Sequence, residues 1–171
     1  TFPVRLEDNP AIALDAYPGD GKQVEYKEGI FVGYRWNDRE RIKPLFCFGH
    51  GLSYTTFEYG KVTAEGRQMG PDGTITVSVP VKNTGSRAGA EIVQLYVSDL
   101  KSSLPRPVKE LKGFRKITLQ PGQEQTVSFT IDRKALSFYD DTSRIGWQSP
   151  AHSKHWSAHR PATSAAKRHS S

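Results

Sequence analysis

The stretch that decides the fold is residues 75–81, which read ITVSVPV. Apolar and polar residues alternate along it, so a β-strand would carry all of its apolar side chains on one face. These side chains belong to Ile75, Val77, Val79 and Val81. Pro80 falls on the polar side and has no N–H to donate, which favours a sheet edge or a bulge there. The stretch therefore predicts a half-buried strand.

Similar short runs recur on both sides of this strand, with turn signals between them. They lie at residues 56–62, 93–97, 111–119, 127–131 and 136–139, and turns are indicated at residues 83–85 and 121–122. The sequence thus supplies about six runs, whereas an immunoglobulin or fibronectin III-like β-sandwich has about seven strands. We predict an all-β sandwich over residues 54–144 with its last strand missing.

The two ends of the chain differ from this middle part. Residues 1–53 are rich in Pro, Gly and aromatic residues, and only residues 29–35 suggest a strand. We expect an extended docking segment that packs on something else, because alone it would not bury its aromatic side chains. Residues 145–171 show no alternation and are rich in Ser, Ala, His and Lys. Their composition predicts a disordered C-terminal tail.

Composition excludes several classes of protein. The chain has 171 residues and a formal charge of +6, but four of the positive charges lie in the tail, which contains no acid, so nucleic-acid binding is not expected. They belong to Lys154, Arg160, Lys167 and Arg168. No apolar run approaches the roughly 18 residues of a membrane span, so no membrane partner is expected. Cys47 is the single cysteine, which excludes an internal disulfide and leaves the cellular compartment open.

One longer motif goes beyond these patterns. Residues 44–57 read PLFCFGHGLSYTTF, which closely resembles the signature PLFPFGHGLSYTTF that precedes the fibronectin III-like domain of family-three glycoside hydrolases. Cys47 stands where that family usually has Pro. Further likeness lies at residues 1–10, 26–35, 81–85, 89–96, 107–114 and 119–122. The resemblance covers residues 1–144.

The resemblance implies that this chain is a non-catalytic piece of a retaining β-glucosidase, which hydrolyses terminal β-D-glucosyl residues. In that family the nucleophilic Asp and the acid/base Glu lie on two domains that precede Thr1 here, so no catalytic residue is expected. Residues 1–53 would then be the end of the α/β sandwich domain and a linker. The partners would be the upstream catalytic domains, and β-glucosides only through the parent. The sandwich would buttress those domains.

The resemblance also bears on the tail. Family members end with a strand containing Trp, a Pro-Gly turn and an alternating final strand, whereas residues 145–171 do not. Permitted codons for residues 144–168, read in a shifted frame, give the peptide HWVAEPGTFEALVGASSSDIRGKA, which has all three features. We infer a single-nucleotide frameshift near Arg144.

Glycoside hydrolysis requires a pair of carboxyl groups, one of them kept protonated. The candidate pairs are Glu25 with Glu28 and Asp140 with Asp141. For both pairs we favour solvated or turn-forming carboxylates over catalytic ones, because Asp commonly accepts backbone hydrogen bonds in turns. An active short β-glucosidase remains an alternative, and it would need such a pair.

Histidines and aromatic residues offer the other candidate sites. His50 lies between two glycines without a recognisable nucleophile, so a structural role with a hydrogen-bonded side chain is expected. Metal ligation is a weaker interpretation of the tail histidines, whose spacing a helix would bring together. They are His152, His155, His159 and His169. We expect neither a metal nor a cofactor.

A stand-alone carbohydrate-binding module is the second alternative, since aromatic faces stack on sugars. Tyr34, Trp36 and Tyr54 offer such a platform, although we favour packing for all three. Within the sandwich only Tyr59 and Tyr96 are candidates. The neighbouring Arg35 and Arg39 could pair with an upstream domain, a point on which the sequence gives no further indication.

Overall fold

The computed structural model describes residues 1–65, 73–100, 102, 104–140, 145–148 and 155–159. These residues form nine strands, two short α-helices and two 3₁₀ turns. The strands are β1 (Phe57–Tyr59), β2 (Thr63–Glu65), β3 (Thr74–Asn83), β4 (Gly89–Ser98), β5 (Glu110–Leu119), β6 (Glu124–Asp132), β7 (Ser137–Asp140), β8 (Ile145–Gln148) and β9 (His155–His159). The helices are α1 (Pro10–Ala13) and α2 (Tyr34–Glu40), and the 3₁₀ turns are Leu6–Asp8 and Lys134–Leu136. The all-β prediction is confirmed.

Two antiparallel sheets face each other. In the first, β3 is central, with β6 along one side and β1 and β2 along the other. In the second, β4 is central between β5 and β9. Strands β7 and β8 form a separate hairpin. The pairing of β4 with β5 contains a bulge, because the register shifts between Leu95 and Tyr96, which lie opposite Gly113 and Leu111.

The core consists of the inward side chains of both sheets. Val81, Val93, Leu119 and Val127 have no exposed surface at all, and they pack in one cluster with Phe57. A second cluster contains Val77, Leu95 and Ile131. The predicted face of residues 75–81 is therefore buried as its alternation indicated, because burying apolar surface is the main favourable term in folding.

Asn83 fixes one end of this core. It is fully buried, and its side-chain amide donates to the carbonyl oxygens of Arg87 (2.8 Å) and Leu119 (3.0 Å). Its side-chain oxygen accepts from the hydroxyl of Thr55 (2.6 Å) and the backbone N–H of Gly85 (3.0 Å). The side chain thus satisfies four partners, and it joins the end of β3 to the end of β5.

The sequence favoured a sheet edge or a bulge at Pro80, but the structure shows neither at this residue. It lies in central β3, paired with Thr126 of β6. On its other side the sheet changes partner, because β1 pairs up to Val81 and β2 begins at Ser78. The interruption between these two short strands leaves no ladder bond that needs a Pro80 N–H.

The strand predicted at residues 29–35 is absent. Gly29 and Gly33 both have positive φ angles, 55° and 60°, which turn the chain at each end of the apolar run. The chain enters α2 immediately after Gly33. Three apolar residues between two such glycines are too few to hold a strand against a sheet.

Two stretches of the segment predicted to be disordered are strands in the structure. Ile145–Gln148 pairs with β7, and His155–His159 pairs with β4. The physical reason is that an extended backbone can satisfy the N–H and C=O groups of a sheet edge whatever its side-chain pattern. The other residues of 145–171 lie outside the described residues.

Candidate functional site

Strand β4 is buried on both faces. Leu95 and Val97 point into the core. On the opposite face, Gln94 and Tyr96 are only 2% and 7% exposed, although a two-sheet sandwich leaves its outer faces to solvent. The cover is the N-terminal segment, which lies across the outside of the second sheet.

The linker at residues 46–50 contributes one half of this cover. The Gln94 side-chain amide donates to the carbonyl oxygen of Phe48 at 3.0 Å, and the Tyr96 hydroxyl donates to the Gln94 side-chain oxygen at 2.6 Å. The Phe48 ring meets Phe114 of β5 edge to face, with centroids 5.3 Å apart. Gly49 fits against Gln94 so closely that an added Cβ would lie 2.4 Å from its Nε2.

Helix α2 contributes the other half. The Tyr34 hydroxyl accepts the backbone N–H of Leu111 at 2.8 Å, and its ring meets Tyr96 at 5.8 Å. Lys109 Nζ lies 3.1 Å from a carboxylate oxygen of Asp38. A helix of the N-terminal segment is thereby fixed to the start of β5.

Glu110 is the centre of an ion-pair cluster at the same place. Arg106 donates to its carboxylate, Lys112 Nζ lies 3.4 Å away, and an Arg35 guanidinium nitrogen reaches it at 3.2 Å. Burial raises the pKa of Glu110, but the charges of Lys112, Arg106 and Arg35, with the Arg106 hydrogen bond, outweigh that effect. The net pKa lies below the ordinary value of 4.5.

This lowered pKa predicts acid sensitivity. A carboxyl with a lower pKa in the folded state stabilises the fold above its unfolded pKa, and the contribution is lost as pH falls through the folded pKa. At neutral pH, we expect the melting temperature of the Glu110→Gln variant to lie below that of the parent chain. The difference in melting temperature should close as the pH falls below 4.5 and through the lower pKa of the folded state, because protonated Glu resembles Gln.

Thermal unfolding followed by circular dichroism across this pH range measures that gap. The matched control is Glu124→Gln, because Glu124 is an exposed strand residue. Its gap to the parent should stay small at every pH. A Glu110→Gln gap that does not change with pH would contradict the prediction.

Large apolar side chains remain exposed in the N-terminal segment. Leu52, Tyr54 and Tyr26 are 88%, 86% and 81% exposed. Others in the segment with more than half of their surface exposed are Phe2, Val4, Leu6, Tyr17, Val24, Val32 and Leu45. Exposed apolar side chains of this number and size favour an interaction site. From here on, the name docking segment covers residues 1–54, because Tyr54 carries the same kind of exposed surface as the residues before it.

Comparison with known proteins agrees with this arrangement. A fibronectin type III-like domain family matches residues 91–155. The chain is 55% identical over 140 residues to thermostable β-glucosidase B of Acetivibrio thermocellus and 53% identical over 152 residues to the β-glucosidase BoGH3A of Bacteroides ovatus. These matches cover 82% and 88% of this chain but 18% and 20% of the relatives.

Solved structures of β-glucosidases are also similar to this chain. The crystal structure of a family-three β-glucosidase from Bifidobacterium adolescentis superimposes with a TM-score of 0.76 at 36% identity, over 85% of this chain and 21% of that one. These matches support a C-terminal fragment of a family-three glycoside hydrolase. Residues 91–155 match the fibronectin type III-like domain, and the chain spans about a fifth of the relatives' length.

Of the four candidate carboxylates, the structure describes the surroundings of Glu25 and Glu28. The Glu25 side chain is 70% exposed and lies 3.9 Å from Lys27. Glu28 has one buried carboxylate oxygen without a hydrogen-bond partner. The side chains of Asp140 and Asp141 lie outside the description. The absence of catalytic residues stays a prediction.

A shallow cleft of about 350 Å³ in the docking segment is lined by Glu25 and by two further carboxylates. The two belong to Asp15 and Asp20. Hydrogen bonds from the backbone N–H groups of Gln23 and Lys22 lower the pKa of Asp20. A general acid needs the opposite shift, so this carboxyl is a turn-forming group.

The structure describes three of the candidate histidines, and it puts none of them in a helix. His50 packs against the Phe46 ring at 4.9 Å, and its buried Nδ1 has no hydrogen-bond partner. The helix assumed for the tail histidines is absent at His155 and His159, which lie in β9. Four residues of strand span about 13 Å, too far for one metal ion. No metal-binding group of His, Cys, Asp or Glu occurs within the described ranges.

The aromatic candidates divide between packing and exposure. Tyr34 and Trp36 pack, with Trp36 5% exposed, and Tyr59 donates from its hydroxyl to Glu91 at 3.1 Å. Tyr54 alone of the proposed platform is exposed. Arg35 pairs with Glu110 of the sandwich, because the start of β5 supplies a carboxylate within reach.

Arg39 also finds its partners within the chain. It pairs with Glu40 at 2.7 Å and lies over the rings of Phe31 and Trp36. Among the described residues, no helix has the length and apolar content that a membrane crossing requires.

Sequence reasoning missed Gln94, Asn83 and Glu110, because a polar residue in a strand gives no sign of what covers it.

Proposed function

We propose that this chain is a non-catalytic part of a β-glucosidase and that it buttresses the catalytic domains of the parent protein. The observation that carries the proposal is that the docking segment contacts the sandwich and also exposes large apolar side chains. It contacts the sandwich through Phe48, Tyr34 and Arg35, and many of its large apolar residues remain exposed. A segment of this kind would hold a rigid sandwich against whatever covers those apolar residues.

The parent protein would hydrolyse terminal β-D-glucosyl residues of β-glucosides. The supporting fact is that relatives named as β-glucosidases are about five times as long as their match to this chain. The two catalytic carboxyl groups would lie in that additional length. The partners of this chain would be those upstream catalytic domains, with neither nucleic acid nor a membrane as a partner.

An assay of the purified chain tests the non-catalytic part of the proposal. We expect no hydrolysis of an aryl β-glucoside above a mock purification from a host that lacks β-glucosidases. Turnover that follows the purified chain and falls in the Glu28→Gln or Asp141→Asn variant would replace the proposal with an active short enzyme. Titration with soluble glucans tests the carbohydrate-binding alternative, for which exposed Tyr54 is the relevant residue.

A chimera tests the buttress role. Residues 1–144 would replace the matching region of the Bacteroides ovatus relative, which is 53% identical over the match. We expect an active chimera whose melting temperature falls by several degrees with Tyr54→Ser, since buried aromatic residues dominate interface energetics. The matched control is Tyr139→Ser, because Tyr139 is 66% exposed and lies in β7, outside the docking segment. Equal effects of the two variants would refute docking through the segment.

A further inference from the structure

Arg106 joins the docking segment to the hairpin of β7 and β8 through a single carboxylate. Its guanidinium donates to the Glu110 side chain, and its Cζ atom lies 4.5 Å from the centre of the Phe138 ring in β7. Glu110 also pairs with Arg35 of α2, at 3.2 Å. A continuous set of contacts therefore runs from α2 to β7.

Helix α2 also contacts the neighbours of Glu110, so that three consecutive residues each have a partner in the helix. Lys109 pairs with Asp38, Glu110 pairs with Arg35, and the backbone N–H of Leu111 donates to the Tyr34 hydroxyl. Beside this contact the side chains of Glu110 and Arg106 are only 15% and 11% exposed. Their ion pair and the contact of Arg106 with an aromatic ring are both stronger out of water.

The orientation of the Arg106 guanidinium depends on Glu110. Its Nη1 atom is buried and has no hydrogen-bond partner among the described residues. The Glu110 carboxylate therefore sets the plane that the guanidinium presents to the Phe138 ring. Hydration or displacement of this carboxylate would loosen the contact with the ring, because the geometry of a charge-assisted hydrogen bond is specific.

We propose that Arg106 is a positioning residue that couples the seating of α2 on β5 to the stability of β7. With α2 in place, Glu110 stays out of water and holds Arg106 against Phe138. When α2 lifts, water reaches Glu110, the ion pair weakens and β7 loses this support. Coupling between two sites is reciprocal, so a change at Phe138 must also loosen α2. The inference concerns contacts within this chain and does not depend on the proposed function.

The Phe138→Leu variant of the full chain tests the proposal, because leucine keeps an apolar side chain but offers Arg106 no aromatic face. Hydrogen exchange at the Leu111 amide reports on α2, since that N–H is bonded to Tyr34. We expect this amide to exchange faster by about fivefold or more, the lower end of typical couplings between sites, while the amides of β3 keep their rates. An unchanged rate at Leu111, or a rise that β3 shares, overturns the proposal.

Tyr139→Leu is the matched control, because Tyr139 is the next residue of β7 and is 66% exposed. It should leave exchange at Leu111 unchanged, and a rise equal to that of Phe138→Leu would refute a specific role of the Phe138 ring. A second comparison uses the Arg106→Gln background. Phe138→Leu should have no further effect on Leu111 exchange there, because the contact is already lost. Effects of the two substitutions that multiply would also overturn the proposal.

Discussion

Replacing Asn83 with Ala is expected to lower the free energy of unfolding by about 3–5 kcal/mol, because several buried partners lose their hydrogen bonds together. The carbonyl oxygen of Leu119 and the hydroxyl of Thr55 lie inside the protein and would have no replacement. Leaving a buried group unsatisfied costs about 1–3 kcal/mol. Urea unfolding measures the effect, and the melting temperature should fall by roughly 10 °C.

Asn37→Ala is the matched control for this variant. Asn37 is also buried, at 7% exposure, but its side-chain nitrogen has no hydrogen-bond partner. We expect its removal to cost less than about 1 kcal/mol, since it leaves few groups unpaired. Equal losses in the two variants would show that side-chain volume, and not hydrogen bonding, sets the importance of Asn83.

Replacing Gly49 with Ala is expected to detach the docking segment while the sandwich stays folded. Gly49 has a φ angle of 77°, which costs an alanine about 1 kcal/mol. The added Cβ would also lie 2.4 Å from Gln94 Nε2 and 3.1 Å from Ile92 Cβ, an overlap worth about 1–3 kcal/mol. The linker must therefore move away from β4.

Hydrogen exchange at the Leu111 amide measures this detachment, because that N–H is bonded to Tyr34 of the docking segment. We expect much faster exchange there, with the amides of β3 unchanged. Gly51→Ala is the control two residues along the same linker, since no atom lies within 4 Å of its added Cβ. Unchanged exchange in Gly49→Ala would mean that the linker adapts in place.

The strands of the sandwich were predictable because they bury one face. Alternation placed Val77, Val93 and Val127 on inward faces, and all three are buried. The turn at Pro121-Gly122 was predictable from its residue types, and Gly122 has the positive φ angle, 74°, that such a turn requires. Local chemistry fixes these features, so a single sequence is sufficient for them.

Other features depend on contacts between distant residues. Pro80 in a central strand is explained only by where β1 ends and β2 begins, which the sequence of β3 does not contain. Strand β9 follows from the free edge of β4 and not from its own pattern. Gln94 and Tyr96 looked like solvent-facing residues, because alternation gives the side of a strand and not what covers it. The contact between the docking segment and β4 was therefore not predicted.

The contacts of the docking segment also determine the order in which the chain assembles. Gln94 and Phe48 are 46 residues apart in sequence, and Leu111 and Tyr34 are 77 apart. Closing such long loops carries an entropic cost that local turns avoid, so these contacts form late in folding. During synthesis the segment leaves the ribosome before β4 and β5 exist. A nascent chain that ends before Leu111 therefore carries exposed aromatic residues that have no sheet to cover.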